Sequence, residues 1–258
     1  MGNMEALYNT WKAIGVSGGD LSFFQDFFVK FYQAFIEADR WLQYLNGVKT
    51  TLLVTALALI LGVALGVTVA ILRTAHDQQR PGHRNPVLAV LNLVCKIYVT
   101  VIRGTPMMVQ LLIMGFVIFA SSRNFTMIGT LTLGINSGAY VSEIVRGGLM
   151  SVDKGQMEAG RSLGLGYGTT MRFVIVPQAV KAILPALGNE FIILLKDTSL
   201  ITVIGGKELL HAAQGIMGRT YEAMFPLIGI ACMYLVLVMI FTWLLGKLER
   251  RLRQSDRR

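Results

Sequence analysis

Glu190, Lys196 and Asp197 sit inside a stretch, about 183–205, that is otherwise largely apolar. A charge at mid-bilayer costs about 2.5–3.5 kcal/mol even on the lenient insertion scale, so such groups face a bundle interior or a wet cavity. Glu190 and Asp197 are seven residues apart and share a helix face, two turns from each other. Lys196 lies about 100° around that helix from Asp197. In another apolar stretch, about 125–146, Asn136, Tyr140 and Glu143 recur at i, i+4 and i+7 and form one stripe. Arg103 stands beside Gly104, Thr105 and Pro106 in a third. Pro106 lacks an amide hydrogen and loosens a helix there, and backbone freed at membrane depth is tolerated only against protein or water. Both signs of charge along such a path suit a zwitterion: Arg103 or Lys196 could meet a carboxylate, Glu190 or Asp197 an amino group. The same charges also read as partners of one another that lock helices together, and both readings can hold at once.

The elements that position these residues follow from composition. Of 258 residues, 53% are apolar and 15% charged, and the mean hydropathy is +0.56; soluble domains carry about 25% charged residues. Residues 51–72 and 227–245 contain no charge, and roughly 20 apolar residues cross the hydrocarbon core. Neither is placed as a signal peptide. The pattern predicts an all-α membrane protein of about five spans: about 48–72, a bent or broken span within 87–121, then about 125–146, 183–205 and 224–246. Residues 1–20 read as short, polar and loose. Phe23, Phe24, Phe27, Phe28, Phe31 and Phe35 form one helical stripe, the pattern of a helix lying in the membrane interface or packing on the rest of the protein. The expected domains are an N-terminal extension, 1–46, with that amphipathic helix; a transmembrane domain, 47–250; and a basic tail, 251–258. Cys95 and Cys232 lie in apolar surroundings and read as small core residues.

The net charge of +9 lies beside spans. With the C-terminus inside and the N-terminus outside, segments 73–86, 146–177 and 247–258 hold thirteen Lys and Arg, against six in the outer segments. That bias marks the cytoplasmic side and argues against nucleic-acid binding. No phosphate loop of the G-x-x-x-x-G-K-[ST] type is present, nor H-E-x-x-H, Cys-x-x-Cys or G-x-S-x-G. The chain is therefore not expected to hydrolyse ATP or to be an enzyme, and no metal or cofactor is expected in it. No repeat of 20–50 residues is visible.

The inner segment 151–177 is richer than a bare connector needs to be. Asp153 with Gln156 resembles a capping box. Gly164 is placed to end the first short helix. Thr169 can cap a second that stops by Pro177. A structured projection of this kind suits contact with a cytoplasmic partner; the other reading is a loop that packs on itself.

This segment resembles the EAA loop of ABC importer permeases, E-A-A-x-x-x-G, nine residues, then I-x-L-P. Glu158, Ala159, Gly160 and Gly164 fit the first part; Val174, Val176 and Pro177 fit the end. Gly160 replaces the usual Ala, and the two valines replace Ile and Leu. Elsewhere the chain is similar to the polar amino-acid branch, the histidine, glutamine and arginine type. RGTP at Arg103–Pro106 with Val109 and Gln110, NSGAY at Asn136–Tyr140, LGNEFI at Leu187–Ile192 and KDTSL at Lys196–Leu200 carry that likeness over roughly 47–250.

The resemblance implies a permease subunit in a bacterial inner membrane that pairs with a second, identical or related, permease subunit. Two cytoplasmic ATPase subunits would grip the coupling loops, holding the ATP and Mg, and a solute-binding protein would deliver the amino acid from outside. It points to Glu158, Ala159, Gly160, Gly164 and Asp153 for coupling. For the path it points to Arg103, Thr105, Asn136, Ser137, Tyr140, Glu143, Glu190, Lys196, Asp197 and Ser199. The alternative is a stand-alone ion-coupled transporter or channel in which Glu190, Lys196 and Asp197 relay ions. A membrane enzyme is the third reading and has no nucleophile or metal cluster to name.

Overall fold

The computed structural model describes residues 2–79 and 85–255, and every regular element among them is helical. The elements are α1 (Gly2–Val16), α2 (Phe23–Phe35), α3 (Arg40–Asp77), α4 (Pro86–Gly104), α5 (Met107–Ile113), α6 (Phe125–Met150), α7 (Lys154–Ser162), α8 (Tyr167–Thr170), α9 (Val176–Asp197), α10 (Leu209–Thr220) and α11 (Met224–Ser255). Part of the loop after α3 and the last three residues of the basic tail fall outside the described residues.

The start of the chain departs from expectation. Residues 2–16 are helical because α2 offers aromatic partners: Tyr8 stacks on Tyr32 at 4.3 Å and Trp11 meets Phe28 edge-on at 5.4 Å. Glu37 receives Tyr8 Oη at 2.7 Å and Lys12 Nζ at 2.6 Å, which closes the hairpin. α2 is opened by Gln25, whose side chain accepts the Ser22 amide at 2.9 Å. Ala38 and Asp39, both at φ 53°, turn the chain sharply into α3. That left-handed backbone is costly for residues with a Cβ, and the ion pair of Glu37 with Arg40 at 2.9 Å braces it.

Among the described residues, four helical stretches are long and apolar enough to cross a membrane: Glu37–Asp77, Pro86–Gly104, Tyr167–Ile204 and Met224–Leu252. The expected span at 125–146 is present as α6, 26 residues long, but it is too rich in Gly, Ser, Thr and Asn to pass on composition. Burial explains this: α6 packs along α3 in the largest interface of the molecule and also along α9, so few of its side chains need suit lipid. The expected broken span is α4 plus α5. Thr105 and Pro106 are extended between them, and α5 ends in a π turn, Met114–Ile118.

Glycine permits the α3–α6 contact. A Cβ on Gly62 would lie 2.7 Å from Ser137 Oγ, and one on Gly66 would lie 2.6 Å from Val141 Cβ. From the other side, a Cβ on Gly134 would meet Leu61 Cδ2 at 2.6 Å. Small residues at such sites let helix backbones approach closely, which matters where no hydrophobic force separates protein from lipid.

Two of the apolar clusters flank the polar residues of α6 and α9. One joins Val54, Ala58, Leu111, Ile128, Leu133, Leu194, Ile201 and Ile204; the other joins Ala70, Val141, Val145, Ala179 and Ile183. Between them on α6 and α9 lie Ser137 and Glu190. Cys95 is buried as expected, whereas Cys232 is exposed on α11.

Gly66→Ala should destabilise the protein by about 1–3 kcal/mol through overpacking. Gly147→Ala, whose Cβ would meet nothing within 4 Å, should be neutral or slightly stabilising. Thermal unfolding of the detergent-purified variants checks the contrast.

Candidate substrate path and coupling loop

The polar layer between the two apolar clusters is built from α6 and α9. Ser137 Oγ donates to Glu190 Oε1 at 2.7 Å; Glu190 is 6% exposed and Ser137 fully buried. Gly62 leaves the room that Ser137 occupies. One turn toward the C-terminal end of α6, Tyr140 is partly exposed and carries the Arg103 guanidinium over its ring at 5.3 Å, a cation–π contact. Asn136 Nδ2 donates to Gln110 Oε1 at 2.9 Å. Tyr98, on α4, donates to the Ile135 carbonyl at 2.5 Å. The α6 stripe thus meets α4, α5 and α9 at one level.

The expected path residues separate into groups. Ser137 pairs with Glu190, Asn136 with Gln110 and Tyr140 with Arg103, three contacts made within about one turn of α6. Thr105 faces the helix break, where its hydroxyl donates to the Val101 carbonyl at 2.8 Å. Glu143, one turn beyond Tyr140, leaves this level: it pairs with Arg73 of α3, while Arg146 reaches Asp77 at 2.9 Å. That is the helix-locking role for Glu143. Asp197 ends α9 half-buried; Lys196 is exposed, and its carbonyl accepts the Ser199 hydroxyl at 2.8 Å.

The inner loop keeps most of its expected form. Asp153 caps α7 by accepting the Gly155 amide at 2.6 Å, but the capping box is incomplete, because Gln156 is turned to Gln178 at 3.3 Å. After α7, Gly164 adopts φ 82°. Its amide donates to the Arg161 carbonyl at 3.0 Å, and that of Leu165 donates to the Gly160 carbonyl at 3.1 Å. This is the Schellman pair that a glycine in the left-handed region makes cheap. Gly160 is buried against Thr170, where a Cβ would stand 2.5 Å from Thr170 Cγ2, so glycine at this position seats α7 directly on the following helix. Glu158 and Ala159 are exposed, and Leu163 is 81% exposed beside them.

The second loop helix does not stop at Pro177. It starts at Tyr167 after Gly166 rather than at a Thr169 cap, passes through a π turn at Met171–Ile175 and becomes α9. The π turn accommodates the missing Pro177 amide, which would have interrupted a regular helix. One helical run therefore extends from Tyr167 to Ile204, 38 residues, with Pro185 inside α9 and a 3-10 turn, Thr198–Ile204, at its end.

Sequence reading missed a second buried acid. Glu208, 1% exposed, caps α10 by accepting the His211 amide at 2.8 Å, takes the Tyr234 hydroxyl at 2.6 Å and also bonds the Thr202 hydroxyl. It ties the end of the rod to α10 and α11. An acid directly before the apolar pair Leu209–Leu210 is a weak capping signal; Tyr234, 26 residues on, gives none.

An α-helical membrane subunit with a polar layer at mid-bundle and a projecting loop rooted in the same rod belongs to the permease class. The chain is a member of the family of binding-protein-dependent transport system inner membrane components, which it matches over residues 87–254. It is 36% identical over 216 residues to the glutamine transport system permease protein GlnP of Escherichia coli K12, covering 81% of this chain and 92% of that one. A crystal structure of an amino acid ABC transporter with histidines superposes with a TM-score of 0.73 at 41% identity, over 81% of this chain and 94% of that one. The inward-facing MetNI methionine ABC transporter shares the fold, with a TM-score of 0.69 at 20% identity over 84% of this chain and 99% of that one.

Ser137→Ala removes a hydroxyl donor from the buried Glu190 carboxylate and should cost about 1–3 kcal/mol. Glu190→Gln, which still accepts from Ser137, should cost less. Thermal unfolding in detergent separates the two.

Proposed function

We propose that this chain is the translocation subunit of an ATP-driven importer that carries a polar amino acid into the cytoplasm. The continuity of the rod Tyr167–Ile204 carries the reading. Its inner end begins at the exposed loop, and its middle holds Glu190. A push on the loop displaces the acid directly, because a helix transmits force along its axis without stretching, and close-packed interfaces respond as two-state elements.

In this reading the residues and partners take the following roles. Each of two permease subunits presents α7 with Glu158, Ala159 and Leu163 to a groove on one cytoplasmic ATPase subunit, which holds the ATP and Mg. Closure of the ATPase pair draws the two loops together and turns the path outward to receive substrate from a solute-binding protein. Arg103, over Tyr140 and partly in the open, offers its cation to the substrate carboxylate. Glu190, presented by Ser137, offers a buried acceptor to the amino group. Cooperation of both signs suits a zwitterion, and the family relatives named for glutamine and histidines point the same way. The C-terminus and loop 151–177 lie in the cytoplasm and the N-terminus lies outside.

The hairpin α1–α2 lies in the outer membrane interface. Phe23 and Phe24 are 76% and 81% exposed, and the same region runs onto Trp41, Leu42 and Leu45 of α3, also exposed. Its other side packs on the bundle: Phe27 meets Phe225 at 5.0 Å, and Phe35 meets Tyr44 at 5.4 Å. The packed face answers one of the two expected placements of the Phe stripe, and the exposed aromatics suit the other.

Gly164→Asp forces a side chain onto a left-handed backbone position and should distort the turn that aims α7. The variant should insert and assemble, while ATP-driven uptake of labelled glutamine into vesicles holding the whole complex falls to the level without ATP. Uptake at the normal rate would remove the docking role.

A further inference from the structure

We infer that Gln110 is a positioning residue of the path: it stands in for the amide that Pro106 lacks, holds the α4–α5 break open, and thereby sets where Arg103 sits over Tyr140. The inference rests on the path assigned above.

In a regular helix the carbonyl of Ile102 would accept the amide four residues on, but that residue is Pro106, which has none. Gln110 Nε2 takes its place, donating to the Ile102 carbonyl at 2.7 Å. The same amide nitrogen contacts the Thr105 carbonyl at 3.1 Å and the Thr105 hydroxyl at 2.8 Å. The hydroxyl in turn serves the Val101 carbonyl at 2.8 Å. Two consecutive carbonyls at the end of α4 are therefore satisfied by side chains. At membrane depth an unsatisfied carbonyl is expensive.

The other end of the Gln110 amide is used as well. Oε1 accepts from Asn136 Nδ2 at 2.9 Å, which fastens the break to α6, one turn from Tyr140. Gln110 is 9% exposed, so the clasp works away from water. Beside it lies an almost wholly apolar cavity of about 250 Å³ lined by Val101, Val109, Ile113 and Thr132 among others, which leaves room for the two helices to move if the clasp opens. Without Gln110 the break loses its preference for the extended form at Thr105 and Pro106, and a proline-kinked helix competes. Arg103, one residue before Gly104, moves with it.

The test uses spin labels at Val94→Cys and Val117→Cys, both exposed in the parent protein, in a background with Cys95→Ser and Cys232→Ser. The labelled subunit is assembled in the whole complex in vesicles and diluted with unlabelled subunit. The parent should give one narrow distance distribution. Gln110→Leu should broaden it or add a second population, and Pro106→Ala, which supplies an amide to Ile102 and lets the helix close, should populate that second state too. If Gln110→Leu does not assemble, Gln110→Glu has the same size and keeps the acceptor for Asn136 but loses the donor, and must also broaden. In the same vesicles, the KM for ATP-driven glutamine uptake should rise roughly ten-fold in Gln110→Leu, with maximal rate per complex changed less than about two-fold, as expected when a ground-state contact is misplaced. A distribution superimposable on the parent's overturns the clasp. A broadened distribution with unchanged KM overturns its role toward Arg103. Failure of the parent complex to take up glutamine under ATP counts against the transport reading and leaves the distance test standing.

Discussion

The structure depends on enclosing polar groups where the solvent is hydrocarbon. Ser137 and Glu190 keep their hydrogen bond in the middle of the bundle because Gly62 and Gly66 let α3 close over α6 at backbone contact. Bulkier residues at those glycines would part the helices and expose the carboxylate to lipid or leave it without its donor, and either is costly. The apolar clusters above and below this level are then consequences of it: they seal the layer on both sides.

Enclosure also explains which irregular backbone is allowed. The extended Thr105–Pro106 pair is clasped by side chains, the π turn at Met171–Ile175 takes up the loss of the Pro177 amide, and Glu208 caps α10 where the rod ends. Each irregularity lies where two helical elements join. The helical run Tyr167–Ile204 is the member proposed to transmit the motion; its first end is seated on α7 through Gly160 and Thr170, and its last is tied through Thr202 to Glu208 and on to Tyr234.

Much of this was legible in the residues. The charge-free runs announced spans; RGTP announced a break; Glu190 in an apolar run announced an enclosed acid; and Gly164 after a short polar helix announced a Schellman turn. What stayed hidden depends on distant partners. Helix α1 forms because Tyr32 and Phe28 of α2 receive its aromatics, which no local pattern in residues 2–16 records. Glu143 shares a stripe with Asn136 and Tyr140, yet Arg73, seventy residues earlier, draws it away from their level. Pro177 signals a helix end, but packing carries the helix through it by a π turn. α6 fails a composition test for spanning because its neighbours, rather than lipid, surround it.

The central claim is that the loop at α7 is gripped by the motor while the rod behind it moves the acid. Cross-linking tests it most directly: Leu163→Cys, in a subunit without its two native cysteines, paired with cysteines along the groove of the partner ATPase in membrane vesicles active in uptake. The account predicts a specific cross-link whose formation stops transport and whose reduction restores it. Active uptake with position 163 reaching no residue of the ATPase would contradict it.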